Sequence, residues 1–492
     1  MSDENEIVRQ RKEKLLRLRD EGVNPYRAEK WDRRDTLMDV RERFDRLQPE
    51  ESEQATLRVA GRLMTLRRQG KATFADLMDE TGRMQLYFFA RQDGDEAYDF
   101  LKKWVDSGDW IGVVGHPCRT RRGELTVQVD EFTLLCKALR PLPEKWHGLT
   151  DTETRYRQRY LDLIANPDVR EVFRKRAKII ASLRRTLESH GTLEVETPTL
   201  SSLAGGAAAK PFKTFHNALS LDMYLRIAPE LYLKRLVAGG MGRVYEIGKN
   251  FRNEGIDTMH NPEFTMMEVY WAYADYEDMM ALTEELVRNA AASVGALKIE
   301  WPSGSGAAID LAKPFRRVSM TEIVQEKTGV DFRRLTDDEA RAIAKERSLD
   351  AGPSRFAVLN AMFEAFCEDG LTTPTFVTGH PTEISPLAKR DPENPDCTHR
   401  FELFMCGHEL ANAFSELNDP IDQRARFEEQ LAKREAGDDE AHAFDEDFLN
   451  AIETGLPPTG GLGIGIDRLV MFLTGSSSIR DVILFPTMRP KE

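Results

Sequence analysis

Gly248-Lys249-Asn250-Phe251-Arg252-Asn253-Glu254-Gly255 is the stretch on which the reading of this chain turns. A strand through it puts Arg252 and Glu254 on one side, because strand side chains alternate with period two. A guanidinium there can hold a phosphate bidentately while the carboxylate receives an amino group such as that of adenine. His260, Asn261 and Phe264 follow after a polar turn and add further donors and an aromatic plate. Far downstream, Gly463-Ile464-Gly465-Ile466-Asp467-Arg468 places another arginine where a glycine-rich strand, begun near Gly460, is expected to pass into an apolar helix. The familiar nucleotide loops are excluded. Gly242 and Gly248 have one residue too many between them for a P-loop, and Asn250 offers magnesium no hydroxyl. Gly463, Gly465 and Arg468 lack the last glycine of a dinucleotide fingerprint.

Upstream, Val169, Val172, Phe173, Ile180, Leu183 and Leu187 recur at helical spacing until Gly191. Asp168 with Glu171 three residues on has capping-box spacing and predicts the helix start. Leu193 and Val195 then predict a strand that Pro198 ends. Downstream, residues 221–275 carry several strand-like runs, and Arg400 to Phe404 and Leu410 to Leu417 read as strands joined at Gly407. Glu409 stands at odd spacing from Asn412 and Glu416, which predicts a bulge.

The N-terminal part has a different grain. Residues 6–21 form an amphipathic helical pattern with Gly22 as its stop, and this segment reads as an appendage. Between Leu57 and Leu139 short alternating runs are punctuated by Gly61, Gly70, Gly82, Gly115 and Gly123, with one helical stretch near 95–106. Roughly five strands in such a span suit a Greek-key barrel of the OB type. The expected organisation is therefore α+β: a helical extension over 1–55, an OB-fold β-barrel over 56–140, a hinge over 141–167, and a large domain over 168–492. That domain is expected to hold an antiparallel sheet flanked by helices, with a largely helical insertion near 315–372.

Composition limits the function. The 492 residues are 41% hydrophobic and 31% charged, with no apolar run long enough to span a bilayer, so no membrane is expected as a partner. The first twenty residues lack the apolar block of a signal peptide. Five cysteines without a C-x-x-C pair argue against a disulfide framework and fit the cytoplasm. Cys397 with His399 and Cys406 with His408 offer four zinc-type ligands, a spacing read as incidental. A net charge of −14 repels nucleic acid, so any RNA contact must be local. Basic clusters at Arg9 to Lys14, Arg67 to Lys71 and Arg119 to Arg122 permit one in the N-terminal half, while acidity gathers at Asp438 to Glu440 and Asp445 to Asp447.

The helix and strand ending at Pro198, Phe251-Arg252-Asn253-Glu254 with His260 and Phe264, and Gly463 to Arg468 resemble, in order and separation, the three motifs of class II aminoacyl-tRNA synthetases. Ala207-Ala208-Ala209-Lys210-Pro211-Phe212, Arg226-Ile227-Ala228-Pro229-Glu230-Leu231-Tyr232-Leu233-Lys234, His260-Asn261-Pro262-Glu263-Phe264 through Glu268, and Phe414-Ser415-Glu416-Leu417-Asn418-Asp419 are similar to bacterial lysyl-tRNA synthetases nearly word for word. The resemblance implies an ATP site in which Arg252 holds the α-phosphate and Arg468 the γ-phosphate, the two catalytic arginines. It implies that His260 and Asn261 close over the phosphates, that Phe264 stacks on adenine, that Glu254 accepts from its amino group, and that Gly465 lines the site. Glu402 and Glu409 match the family's magnesium ligands.

For L-lysine the resemblance implies Glu268 and Glu416 at the side-chain ammonium, Glu230 at the α-amino group, and Gly206, Tyr270, Asn412 and Phe414 around them. In the barrel, Arg67, Phe74, Gln85 and Glu124 match anticodon-reading positions for tRNA(Lys), and a homodimer formed around Pro198 is implied as well. The chain departs from the family pattern in two places. Ala411 and Ala413 stand where Gly-Asn-Gly is usual, which is expected to narrow the pocket wall, and His380 stands where an aromatic residue is typical.

Overall fold

The computed structural model describes residues 6–90, 95–143, 149–203, 205–207, 209–301, 308–435 and 444–490. Ala208, the acidic run Asp438 to Glu440 and residues 144–148 of the expected hinge lie outside them. The chain divides into two compact units, Met1–Thr150 and Asp151–Glu492.

In the first unit β1 (Leu57–Gln69), β2 (Ala72–Met78), β3 (Arg83–Phe89), β4 (Trp110–Arg119) and β5 (Leu125–Cys136) close into a barrel of order β1-β2-β3-β5-β4. Strand alternation decides what the barrel hides and what it shows. Thr73, Ala75 and Leu77 of β2 and Met84, Leu86 and Phe88 of β3 point inward, leaving Phe74, Asp76, Gln85 and Tyr87 on the outer face. The segment before the barrel is no appendage. Helices α1 (Glu6–Asp20) and α2 (Leu37–Phe44) send Leu18, Leu37, Val40 and Phe44 into the same core as Leu57, Val59 and Leu86. Lys14 adds an ion pair 2.7 Å from Asp106, and Asp106 and Asp109 together flank the fully buried Lys137. The apolar spacing within α1 is too sparse to announce this docking, which is why the sequence pattern reads as a solvated extension.

The second unit is built on an eight-stranded sheet. Its strands are β6 (Leu193–Glu194), β7 (Arg243–Phe251), β8 (Glu263–Ala272), β9 (Arg316–Ser319), β10 (Thr375–Thr378), β11 (Arg400–Met405), β12 (His408–Ser415) and β13 (Thr459–Gly465), in spatial order β9-β10-β11-β12-β13-β8-β7-β6. The six central strands run antiparallel as expected, but both edges are parallel pairs, β9 with β10 and β6 with β7. One face of the sheet is covered by α4 (Pro167–Ser189) and α6 (Tyr276–Ser293), whose Leu183, Leu187, Met279, Leu286 and Ala290 form a core with Met267, Val269, Leu403, Ala411 and Leu462. The helical insertion is present, with its own core of Ile323, Val324, Leu359 and Met362.

Two local readings change. The α4 helix starts at Pro167, not after an Asp168 cap, because proline's fixed φ is preorganised for the first helical position. Asn166 precedes it without a side-chain cap and instead donates to Asp162 at 2.6 Å. The Arg155 to Tyr160 run, read as linker, is helical over Thr152–Arg157 and Arg159–Ala165. Its Arg159 is fully buried, 2.7 Å from the equally buried Asp162, and donates to the carbonyls of Arg480, Ile483 and Leu484. Replacing Arg159 by alanine leaves Asp162 with a weakened set of partners in a dry site. Chemical denaturation followed on the catalytic unit should show a loss of about 3–5 kcal/mol.

Candidate active site

Two neighbouring cavities lie on the sheet face opposite the packed helices. One, of about 300 Å³, is lined by Arg252, Glu254, His260, Asn261, Phe264, Gly465 and Arg468. The other, of about 490 Å³, is lined by Gly206, Glu230, Glu268, Tyr270, Glu402, Asn412, Phe414 and Glu416. Arg252, Met266, Glu409, Asn412 and Gly463 line both and form the shared wall. Every candidate residue named from the catalytic part of the sequence therefore falls in one connected place.

Arg252 and Glu254 are not on a strand. The last β7 residue is Phe251, and the chain then opens into a loop from which both side chains reach the first cavity. Arg252 lies over the Phe264 ring at 5.2 Å, and its buried Nε has no hydrogen-bond partner among the described residues. At the opposite end helix α7 (Ile466–Thr474) begins directly after β13. Its buried Asp467 accepts from the Thr265 amide at 2.6 Å and pairs with Arg176 at 2.6 Å, which fixes the helix start that carries Arg468. Arg468 donates to the Glu409 carbonyl at 2.7 Å and stands 3.1 Å from His260 Nε2. Asn261 is committed to the backbone, donating to the Glu263 carbonyl and accepting from the Thr487 amide.

The floor of the second cavity is β13. Gly463 is paired between Glu268 and Asn412, and Gly461 between Tyr270 and Phe414, so the strand between two rows of functional side chains presents none of its own there. Tyr270 donates to Glu268 at 3.0 Å across two residues of β8, the same-face pairing expected from their spacing. Opposite, a register shift between Leu403 and Phe404 leaves Leu410 as the extra residue of a β-bulge in β12. The bulge turns Glu409 to the cavity side alongside Asn412. Ala411 and Ala413 point into the sheet's packed core, and neither lines the second cavity, so the expected narrowing of its wall does not occur. His380 is buried, with its Nε2 3.1 Å from the Val377 carbonyl, and burial pushes its pKa well down.

Burial governs the charges. Removal from water and the nearby Glu230 push Glu268 up to about 8, with the Tyr270 hydrogen bond opposing. Burial likewise raises Glu416, with Lys234 opposing, and raises Glu409, with Glu402 adding to it. Lys234 closes the motif that begins at Arg226 but has no role in the sequence reading, yet it sits four residues after Glu230 on α5 (Glu230–Ala238), 2.5 Å from Glu230 and in an ion pair with Glu416. Two more residues escaped the sequence reading. Arg400 bridges Asn412 at 3.0 Å and Glu402 at 2.5 Å, and Gly461 lies against Glu416 Oε1. The Cys397/His399 and Cys406/His408 pairs assemble no site, since among the described residues no group of three or more His, Cys, Asp or Glu is placed to hold a metal ion.

Residues 151–489 match the family model of class II tRNA synthetases (D, K and N), and residues 57–135 match the OB-fold nucleic acid binding domain. The chain belongs to the class II tRNA synthetases. It is 55% identical to the lysine–tRNA ligase of Enterococcus faecalis, covering 99% of this chain and 98% of that one. The lysine–tRNA ligase of Halalkalibacterium halodurans is 54% identical over 100% of this chain and 99% of its own. That of Moorella thermoacetica is 55% identical over 99% of each.

In this synthetase three of the barrel's four candidate residues, Arg67, Phe74 and Gln85, lie on its strands, and Glu124 lies in the turn before β5. Phe74 is half-buried on the outer face, 5.0 Å from Tyr87 between ring centroids, and is not part of the barrel core. Its cross-strand neighbour Arg67 pairs with Asp76 at 3.2 Å, and Gln85 accepts from Thr126 at 3.1 Å. Glu124 is exposed just before β5.

Gly461 supplies a test of the second cavity. A Cβ added there would overlap Glu416 Oε1 and come within 2.7 Å of Tyr270 Cε1. Gly461→Ala should therefore lower kcat/KM for the amino acid by at least about 100-fold in pyrophosphate exchange, by displacing a carboxylate from its working position. The KM for ATP should change little, because Gly461 does not line the first cavity.

Proposed function

We propose that the chain is a lysine–tRNA ligase that activates L-lysine with ATP and then esterifies it onto the 3′-terminal adenosine of tRNA(Lys). The observation that carries this reading is the convergence of Glu230, Glu268 and Glu416 in one cavity that shares Arg252 with its neighbour. An ammonium taken out of water incurs a penalty of several kcal/mol unless carboxylates receive it. A neutral or acidic amino acid would leave these acids unpaired, so the site discriminates strongly against both.

The first cavity then takes ATP. Phe264 stacks on adenine, Glu254 accepts from its amino group, and Gly465 allows close approach. Arg468 holds the γ-phosphate with His260 and Asn261 beside it, and the unpartnered Nε of Arg252 is available to the α-phosphate. The lysine carboxylate attacks the α-phosphorus in line, the bond to pyrophosphate breaks, and lysyl-adenylate forms. A ribose hydroxyl of the tRNA terminus then attacks the lysyl carbonyl and AMP leaves. Positioning and charge neutralisation supply the rate in both steps.

Glu402 and Glu409 fit a magnesium ion. They are hard oxygen donors, burial with Glu402 adding to it raises Glu409, and two carboxylates leave room for the phosphate oxygens and waters that magnesium retains. Bound there, the ion would neutralise charge on the phosphates. Arg67, Phe74, Gln85 and Glu124 read the anticodon by stacking and by bonds along the pairing edges of its bases. A homodimer is supported by the large apolar residues left exposed around Pro198, namely Leu193, Leu200, Phe215, Leu219 and Leu221. Among the described residues no helix is long and apolar enough to cross a membrane, and we place the enzyme in the cytoplasm.

Pyrophosphate exchange run with each amino acid in turn should proceed with lysine and stop on chelation of magnesium. Exchange with aspartate or asparagine and not with lysine would overturn the assignment. The pH dependence has a definite sign. Below about 8 the empty pocket keeps a proton on Glu268, which the lysine ammonium must displace, so KM for lysine should fall as pH rises from 7 towards 8 and level off beyond. Calorimetry in buffers of different ionisation enthalpy should register proton release on lysine binding below that pH, and Glu268→Gln should remove that contribution.

A further inference from the structure

Lys234 is 1% exposed, yet it does not line the lysine cavity. It stands behind the acids, its Nζ 2.5 Å from Glu230 and paired with Glu416, with the rings of Phe414 and Phe448 at 5.4 and 5.8 Å. The front oxygen of Glu416 differs from the back one. Oε2 forms the ion pair with Lys234 and Oε1 lies against Gly461 of the cavity floor; beyond that ion pair neither oxygen has a hydrogen-bond partner among the described residues, although the residue is 1% exposed. A carboxylate held from behind and bare in front is a receptor for a second cation.

We propose that Lys234 is a positioning residue for lysine recognition: a fixed internal cation that offsets the charge of Glu230 and Glu416 and holds them in place at the cavity wall. The proposal rests on the reading of the chain as a lysine-activating enzyme. Charge balance is its physical basis. With all groups ionised, the three carboxylates and Lys234 leave two negative charges, which match the α-ammonium and side-chain ammonium of lysine. Without Lys234 the same acids would crowd in a dry site, where mutual repulsion favours protonation and lowers their attraction for an ammonium. The helix favours the arrangement, since glutamate four residues before lysine is the better orientation of such a pair and Glu230 sits at the positive end of α5. Burial alone works to lower the Lys234 pKa, and the two glutamates overcome it, so the ammonium persists.

The test is pyrophosphate exchange on the full-length protein. Wild-type exchange with lysine comes first, and its failure removes lysine as the substrate. Given that exchange, Lys234→Gln should raise KM for lysine at least about tenfold while KM for ATP stays within about twofold. An unchanged KM for lysine, or parallel rises in both constants, overturns the role of Lys234 and leaves the substrate assignment standing. Should Lys234→Gln fail to fold, the double variant Lys234→Met/Glu416→Gln removes one charge of each sign together. It should recover folded protein with wild-type circular dichroism, and a double variant that is also unfolded overturns the charge-balance role.

Discussion

Placing several carboxylates together away from water is the constraint to which the rest of the catalytic unit answers. Each loses hydration, and each raises the cost of ionising the next. A protein keeps such a cluster when its geometry is held by something stiffer than the acids themselves. Here the stiffness comes from three separate elements. Glu230 is fixed at the start of a helix, Glu268 within a central strand, and Glu416 just beyond another, its amide bonded to the Thr459 carbonyl of the strand between. No one of these elements can relax the repulsion by moving alone.

The glycine strand explains how a sheet can contain a cavity. Neighbouring strands ordinarily fill the space above each other with side chains, and a flat packed face results. β13 interrupts that face at Gly461 and Gly463, so the row from β8 and the row from β12 face each other across an open floor. The bulge at Leu410 then corrects the phase of β12, bringing Glu409 to the cavity that strict alternation would turn it from. Gly206 completes the enclosure with φ at +90°, a backbone conformation costly for other residues, where a Cβ would press on those of Ala228 and Glu230 at 3.3 Å. Small residues and one irregular pairing thus do the shaping, and the charged residues are left to line the space.

How much of this was legible in the sequence follows from the range of each interaction. Period-two alternation and the glycine spacing are local, so the barrel, the Glu268 and Tyr270 face and the bulge near Glu409 were readable. The carboxylates were legible only through motif resemblance, because their convergence is a long-range fact that no local pattern encodes. Docking of α1 and α2 on the barrel was hidden for the same reason, as was the burial of Arg159, whose carbonyl partners Arg480, Ile483 and Leu484 lie more than 300 residues away. Lys234 was missed differently. Its i,i+4 relation to Glu230 is visible, but on a helix that spacing usually marks a solvated pair, and only burial turns it into a structural cation.

The family match groups chains for D, K and N, amino acids whose side chains are anionic, cationic and neutral. One sheet can serve all three only if its shared parts handle what the substrates have in common. The first cavity, with its arginines and aromatic plate, is the proposed nucleotide site, and a nucleotide is common to all three reactions. Discrimination must then lie in the second cavity, and there the decisive variable is which sign of charge forms the front layer. In this chain six glutamates line the cavity against two arginines, Arg252 and Arg400, while Lys234 stands behind Glu230 and Glu416, and the proposed preference for an ammonium rests on that excess of acids. A cation projecting past its acids into the same space would reduce that excess without any change of fold. On the proposed reading specificity depends on where each charge is held as well as on which charges are present, and Glu230 and Lys234 are held by α5, which packs against β7, β8 and the helix over Glu446–Glu453.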